Sequence, residues 1–199
     1  RFVADYAFKH EQGFTKDIVL PKNGKSVGII GAGPSGLTCG YYLARLGYEV
    51  EVYEAQPVAG GVLAFGIPEY RLPKDILAHE IKLIQQVGVK IHLNTKVGKD
   101  ISFEELRQKH DSIYIATGTQ LSNKINIPGE DLEGVIHGLD FLRRVNLRHD
   151  INVGKKVVVI GGGNTAIDAA RTAVRLGAES VKILYRRTLA DMPADAREI

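Results

Sequence analysis

A single cysteine, Cys39, is all the thiol chemistry available to this chain of 199 residues. One cysteine cannot make the C-x-x-C pair of a thiol-disulfide reductase, and it cannot supply the thiolates of an iron-sulfur cluster. Cys39 lies in a helical stretch and is assigned to core filling. Excess charge of one sign is also scarce: the formal net charge is +3 with 25% charged residues, too little to argue for a polynucleotide partner. No apolar run reaches the roughly 18 to 20 residues that span a bilayer. The first residues lack the charged, apolar and small-residue sections of a secretory signal, so the cytoplasm is the expected location. The histidines stand singly, none in metal-ligand spacing. His79 and His110 read as exposed helix positions, His92 and His137 as strand or loop ends. No nucleophile-base triad stands out, and no catalytic side chain is assigned.

Glycine is plentiful, and its placement is the strongest signal in the chain. The run Lys25-Ser26-Val27-Gly28-Ile29-Ile30 reads as a strand buried on both faces of a parallel sheet. It leads into Gly31-Ala32-Gly33-Pro34-Ser35-Gly36. In such a turn Gly31 permits the tight bend, Gly33 lets backbone approach a pyrophosphate, and Gly36 lets the following helix lie close to the strand. The helix is expected from about Pro34 to Leu46, with its free N-terminal N–H groups facing phosphate and Gly47 as its stop. The strand Tyr48 to Glu54 follows and places Glu54 about twenty positions beyond the turn, where a carboxylate accepts hydrogen bonds from ribose hydroxyls. Glu54 therefore selects a nucleotide with a free 2′-hydroxyl.

The same grammar recurs downstream. Lys155-Lys156-Val157-Val158-Val159-Ile160 precedes Gly161-Gly162-Gly163-Asn164-Thr165-Ala166, with Ala166 an allowed substitute for the third glycine. A helix is expected from about Ala166 to Arg175, a stop at Gly177, and a strand from Ser180 to Tyr185. Matching Tyr53 to Tyr185 sets Arg186 at the place of Glu54, with Arg187 beside it. Guanidinium groups bind a 2′-phosphate through forked, charge-assisted hydrogen bonds that a carboxylate would repel, so the second site is expected to prefer NADP(H). The plainer alternatives are that either turn is a packing solution and that the arginine pair is a solvated strand end. One such turn is a weak signal, whereas two in full strand-turn-helix context point to two dinucleotides and an electron-transfer flavoprotein.

Further residues carry a family resemblance over nearly the whole chain. They are Ala59-Gly60-Gly61-Val62-Leu63, Gly66-Ile67-Pro68-Glu69-Tyr70-Arg71-Leu72-Pro73, Ala116-Thr117-Gly118, Ile127-Pro128-Gly129, and Tyr185-Arg186-Arg187 with Met192-Pro193. In this order they resemble the flavin-containing pyridine-nucleotide oxidoreductases of the glutamate synthase small-subunit type, with a similar segment in dihydropyrimidine dehydrogenase. The resemblance implies an α/β fold with two Rossmann-like dinucleotide-binding domains, both incomplete in this chain. It implies FAD contacts from Gly31, Gly33, Pro34, Ser35, Gly36, Glu54, Gly61, Leu63, Arg71, Val97, Thr117 and Gly118. It implies NADP(H) contacts from Gly161, Gly163, Asn164, Thr165, Ala166, Arg186 and Arg187. The activity implied is hydride transfer from NADPH to FAD, with electrons passed to an iron-sulfur domain or subunit. A nucleotide-binding scaffold without turnover and an NADPH-flavin oxidase remain alternatives.

Along the chain, 1–24 reads as an N-terminal arm with a helical pattern over Phe2 to Phe8, 25–122 as the FAD-binding domain, and 123–199 as the NADP(H)-binding domain. Between the two glycine turns, Lys74 to Gln86 is expected to be an amphipathic helix with Ile76, Leu77, Ile81 and Ile84 as its buried stripe. Lys90 to Val97 and Ile113 to Gly118 are expected strands, and Gly138 to Val145 a crossover helix with Asp140, Arg143 and Arg144 outward. Too few residues follow the arginine pair to finish a nucleotide domain, so this is expected to be part of a longer polypeptide or of a larger complex, a homo-oligomer among the options.

Overall fold

The computed structural model describes residues 2, 3, 6, 10, 19–122 and 124–198. Of the helical pattern expected over Phe2 to Phe8, Phe2, Val3 and Tyr6 are helical, and the remainder lie outside the described residues. The chain divides into two compact units, one comprising 1–64 and 72–120, the other 65–71 and 121–199.

In the first unit four parallel strands form a sheet in the order β3-β2-β1-β4, with β1 at Ser26–Ile30, β2 at Glu49–Tyr53, β3 at Lys90–His92 and β4 at Ser112–Ile115. Ile30 pairs with Tyr53 and Ile115, so three strand ends lie level at the edge where β1 runs into the glycine turn. Side chains on β2 alternate across the sheet. Val50 and Val52 join Val27, Ile29, Leu37, Ala44, Val87 and Val89 in a core beneath helix α1, Pro34–Arg45. A one-turn helix α2, Val62–Phe65, precedes α3, Lys74–Gln86. In α3 the expected stripe is half-buried, and the fully buried residue is Leu83. Residues 19–23 lie along the end of α1, where Leu20 N–H donates to Arg45 O and Asn23 N–H to Gly47 O.

Glu51 and Tyr53 project from the other face of β2. Glu51 accepts from Lys109 Nζ at 2.7 Å and from the Tyr53 hydroxyl at 3.0 Å, and His92 Nε2 lies 2.8 Å away. Lys109 ends helix α4, Phe103–Lys109, which opens on Ser102 and Glu105 as a reciprocal capping box. His110 follows. It is not an exposed helix position: it is 7% exposed, with Nε2 3.0 Å from the Tyr53 hydroxyl. Gly28 makes the room, since a Cβ there would meet the His110 ring at 2.6 Å. A glycine inside a strand marks such an approach. The expected strand Lys90 to Val97 is also shorter than its pattern. It stops at His92, Asn94 takes φ +53°, and the chain folds back so that Thr95 N–H donates to Glu54 O.

The second unit is built on β5, Lys156–Ile160, and β6, Ser180–Leu184, paired in parallel from Lys156 with Ser180 to Ile160 with Leu184. Helices α5, Gly138–Asn146, and α6, Asn164–Arg175, cover one face, with Phe141, Leu142, Ala169 and Ala173 as the core. On the opposite face Val158, Ile160 and Leu184 are more than half exposed. Residues 65–71 fold onto this unit: Phe65 is 1% exposed, and its carbonyl accepts from Asn146 Nδ2 at 2.8 Å. Arg143 of α5 does not point outward as its helical position suggested, because its guanidinium lies 4.7 Å over the Phe65 ring. Arginine covers an aromatic face readily.

The Glu51 cluster generates a pH dependence. Burial raises the Glu51 pKa, but hydrogen bonds from Lys109, His92 and Tyr53 outweigh it and lower the value to about 2. A depressed carboxylate stabilises the fold above its unfolded pKa and loses that contribution as pH falls through the folded one. Glu51→Gln is therefore expected to cost about 2 to 3 kcal/mol near neutral pH, the deficit closing between pH ~5 and ~2. Thermal unfolding of variant and parent across that range checks this; a deficit independent of pH contradicts it.

Candidate functional site

The first glycine turn joins β1 to α1. Gly31 takes φ +105°, and a Cβ there would sit 2.4 Å from Ala116 O, so the turn is pressed against the end of β4. At Gly36 a Cβ would meet Gly31 O at 2.0 Å, which is the close helix-strand approach expected of the third glycine. At Gly33 a Cβ would meet only Gly61 Cα, in ordinary van der Waals contact at 3.9 Å. It is the N-cap of α1 and supplies no side-chain cap. The N–H groups of Ser35 and Gly36 have no acceptor among the described residues. Unmatched donors at a helix N-terminus with no side chain over them fit a phosphate.

Three further segments converge here. Glu54, 8% exposed, extends the end of β2; its Oε2 accepts from Ala32 N–H and its Oε1 from Gln56 N–H, both at 2.8 Å. Each carboxylate oxygen keeps a lone pair for a further donor. Gly61, at φ +57°, lies over the turn, where a Cβ would approach Gly33 Cα to 2.8 Å, and Gly60 N–H donates to Ala32 O at 2.7 Å. Ala116 N–H continues the β1–β4 ladder to Ile30 O, leaving Thr117 and Gly118 exposed beside the turn. Ser35 of the turn lies 2.9 Å from Tyr114, hydroxyl to hydroxyl. Leu63 is half-buried in α2, and Val97 is half-buried in the fold-back after β3, where it bridges to Ile101. Arg71 belongs to the second unit. There its Nε donates to Asp168 and a terminal nitrogen donates to Glu198 at 2.8 Å. Tyr70 donates to the same Asp168 oxygen at 3.0 Å.

The second turn matches the first in outline. Gly163 is the N-cap of α6 with no side-chain cap, and a Cβ there would meet nothing within 4 Å. The N–H groups of Asn164 and Thr165 have no acceptor among the described residues. A Cβ on Gly161 would lie 3.2 Å from the Ala166 methyl, so the alanine variant leaves the turn tight but tolerable. Helix α6 begins at Asn164, two residues before the expected start.

The ladder shifts one correspondence. Gly31 N–H donates to Tyr53 O and Gly161 N–H to Leu184 O, with Ile30 paired to Tyr53 and Ile160 to Leu184. The counterpart of Glu54 is thus Tyr185, not Arg186. Its ring fills that place: a Cβ on Gly162, the counterpart of Ala32, would strike it at 2.6 Å. Tyrosines at two strand ends invited a match that the backbone register moves by one residue. The charge contrast survives the shift. The carboxylate is gone, and Arg186 and Arg187 follow at once, exposed and with no ion pair or hydrogen bond among the described residues. Arg187 also lines a cavity of about 450 Å³ with Tyr185, Leu189, Met192, Arg171 and Glu198.

Sequence reasoning missed Tyr185 as the residue against the turn, and it missed Asp168, which is 6% exposed. Acidic residues are rarely that buried without partners. The one signal available for Asp168 was its helical spacing to Thr172, one turn further along α6 and also buried. Among the described residues no His, Cys, Asp or Glu cluster suits a metal ion, and no helix is long and apolar enough to cross a membrane.

These features define an α/β protein with two dinucleotide turns. Residues 15–199 match the pyridine nucleotide-disulphide oxidoreductase family model, and the chain belongs to that family. It is 52% identical to the NADP(+)-dependent formate dehydrogenase subunit beta of Moorella thermoacetica, a match over 100% of this chain and 31% of that protein. It is 41% identical to the glutamate synthase [NADPH] small chain of Azospirillum brasilense, over 100% of this chain and 44% of that one. Among solved structures it is similar to Mycobacterium tuberculosis FprA in complex with NADPH, with TM-score 0.75 and 25% identity, covering 90% of this chain and 46% of that one. The chain spans less than half the length of these relatives.

Glu54→Gln puts an amide NH₂ against one of the two backbone N–H groups that the carboxylate now accepts. It is expected to weaken FAD retention roughly tenfold, the loss of one charge-assisted hydrogen bond, with little change in NADPH affinity. Flavin content of the purified variant measures this, and a normal content contradicts it.

Proposed function

We propose that this chain is the nucleotide-binding part of a flavin-dependent oxidoreductase that takes hydride from NADPH onto FAD and passes the electrons to an iron-sulfur domain or subunit. One observation carries the reading: two glycine turns of the same construction are followed by opposite chemistry. One is flanked by a buried carboxylate, Glu54, and the other by Tyr185 and two arginines with no partner among the described residues. A scaffold that retained FAD without turnover would have no use for a second turn with altered ribose chemistry. The names of the relatives, an NADP(+)-dependent formate dehydrogenase subunit and a glutamate synthase small chain, support this reading of the class.

The residues divide the work as follows. Ser35 and Gly36 donate their free N–H groups to the FAD pyrophosphate, with Gly31, Gly33 and Pro34 shaping the turn. Glu54 accepts from the adenosine ribose. Gly61, Thr117 and Gly118 keep side-chain bulk away from the cofactor's path, and Leu63 and Val97 line it. Arg71 carries the same proposal, with Asp168 and Glu198 fixing its guanidinium. Asn164 and Thr165 offer N–H groups to the NADPH pyrophosphate, flanked by Gly161, Gly163 and Ala166. Arg186 and Arg187 bind the 2′-phosphate. Residues 25–122 form the FAD-binding part and 123–199 the NADP(H)-binding part. Flavin, when bound, supplies the conversion between a hydride donor and one-electron carriers, a step needing no protein nucleophile.

Adding NADPH to the full-length protein without oxygen is expected to bleach the flavin absorbance. An unchanged spectrum contradicts the reading, and rapid peroxide formation on admitting air points instead to an oxidase. Arg186→Ala combined with Arg187→Ala is expected to weaken NADPH binding by at least ~10-fold, from the loss of hydrogen bonds worth roughly 1.5 to 3 kcal/mol each, while NADH binding changes little. Equal losses for both nucleotides remove the 2′-phosphate argument.

A further inference from the structure

The two arginines have no partner among the described residues, so where their guanidinium groups can reach is set by the backbone that carries them. That backbone is a closed loop pinned to the second glycine turn at both ends. At its start the Tyr185 ring lies on Gly162. Across its neck the Tyr185 hydroxyl donates to Asp191 O at 3.0 Å. Inside it Thr188 donates twice to one oxygen of Asp191, from its hydroxyl at 2.6 Å and its N–H at 3.1 Å. At its end Ala194 N–H donates to Gly162 O at 3.1 Å, and Asp195 N–H donates to the side-chain oxygen of Asn164 at 3.0 Å.

We propose that Thr188, Asp191 and Asn164 are positioning residues for NADPH selection, fixing the Arg186–Arg187 loop in one shape against the second glycine turn. The inference rests on the 2′-phosphate reading of the arginine pair and adds the residues that make the pair selective. An arginine loses rotamer entropy when a ligand fixes it; a backbone already fixed spares the ligand the further cost of ordering the loop. The Thr188 bonds also have an electrostatic effect. They hold the Asp191 carboxylate inside the loop, and no Asp191–arginine ion pair forms among the described residues. Both guanidinium groups stay available, and the Asp191 carboxylate is bonded to Thr188 and to neither of them. Asn164 then has two duties, its backbone N–H toward the pyrophosphate and its side chain toward Asp195.

The test measures NADP⁺ and NAD⁺ binding by calorimetry on the full-length, FAD-loaded protein, with 2′,5′-ADP as a second probe. Thr188→Val removes the hydroxyl without changing charge. It is expected to weaken NADP⁺ and 2′,5′-ADP by up to roughly tenfold, because the bond acts on binding only through the order it gives the loop and so by no more than its own worth, with NAD⁺ affinity and flavin content unchanged. Thr188→Ser is expected to restore the parent values, and Thr188→Ala to reproduce the loss without the bulk of valine. Equal weakening of NADP⁺ and NAD⁺, or no change in either, overturns the inference. The double arginine variant in the same assay separates the two ideas. If it keeps the parent NADP⁺ to NAD⁺ ratio, the phosphate reading itself fails; if it loses that ratio while Thr188→Val does not, only the loop inference falls.

Discussion

Glu54 holds a carboxylate at the end of β2 where only 8% of the residue meets solvent, and it does so by accepting backbone N–H groups from the glycine turn and from Gln56. An acid that buried is tolerable only when its charge is met by donors. Those two bonds join the ends of neighbouring strands to the turn between β1 and α1, and they orient the carboxylate. The rest of the first unit is arranged around that junction. Gly31 yields to Ala116, Gly36 to Gly31, and Gly61 to Gly33, so four chain segments meet with almost no side chain between them. The surface they make is backbone, and its unmatched N–H groups lie where a phosphate is best accommodated.

The second unit solves the same problem with a ring. At the place of Glu54 stands Tyr185, whose side chain carries no charge but bulk, and Gly162 has no Cβ because the ring occupies that space. The phenol braces the turn, and it starts the loop on which the cations sit. Within one chain, the same strand-turn-helix unit thus carries an acid at one strand end and a ring followed by two cations at the other. The difference lies in one strand-end residue and the loop after it, while the strand-turn-helix backbone is held constant.

Much of this was legible in the sequence because it depends on local rules. Runs such as Lys155 to Ile160 and Tyr48 to Glu54 marked strands within a residue of their observed ends, and Gly47 and Gly177 marked helix stops. The roles of Gly31 and Gly36 followed from their spacing, and so did the position of Glu54. What stayed hidden depends on contacts between distant segments. His110 is buried because Gly28, 82 positions earlier, leaves room for its ring. Lys90 to Val97 alternates like a long strand but breaks at Asn94, where hydrogen bonds to Gln56 and Glu54 draw the chain back. Arg71 reads as a lone surface cation, yet Asp168 and Glu198 take it up. The displacement of the arginine pair by one residue needed the β5–β6 register, which the sequence does not print.

Whether two equivalent strand-end pockets select two coenzymes by opposite charge is decided by a crystal structure of the full-length protein with FAD and NADP⁺ bound. A FAD ribose hydroxyl donating to Glu54 and the NADP⁺ 2′-phosphate held by Arg186 and Arg187 are expected, with the pyrophosphates on the N-termini of α1 and α6. Adenosine groups seated away from both strand ends, or a 2′-phosphate in solvent with both guanidinium groups turned from it, would contradict selection by charge.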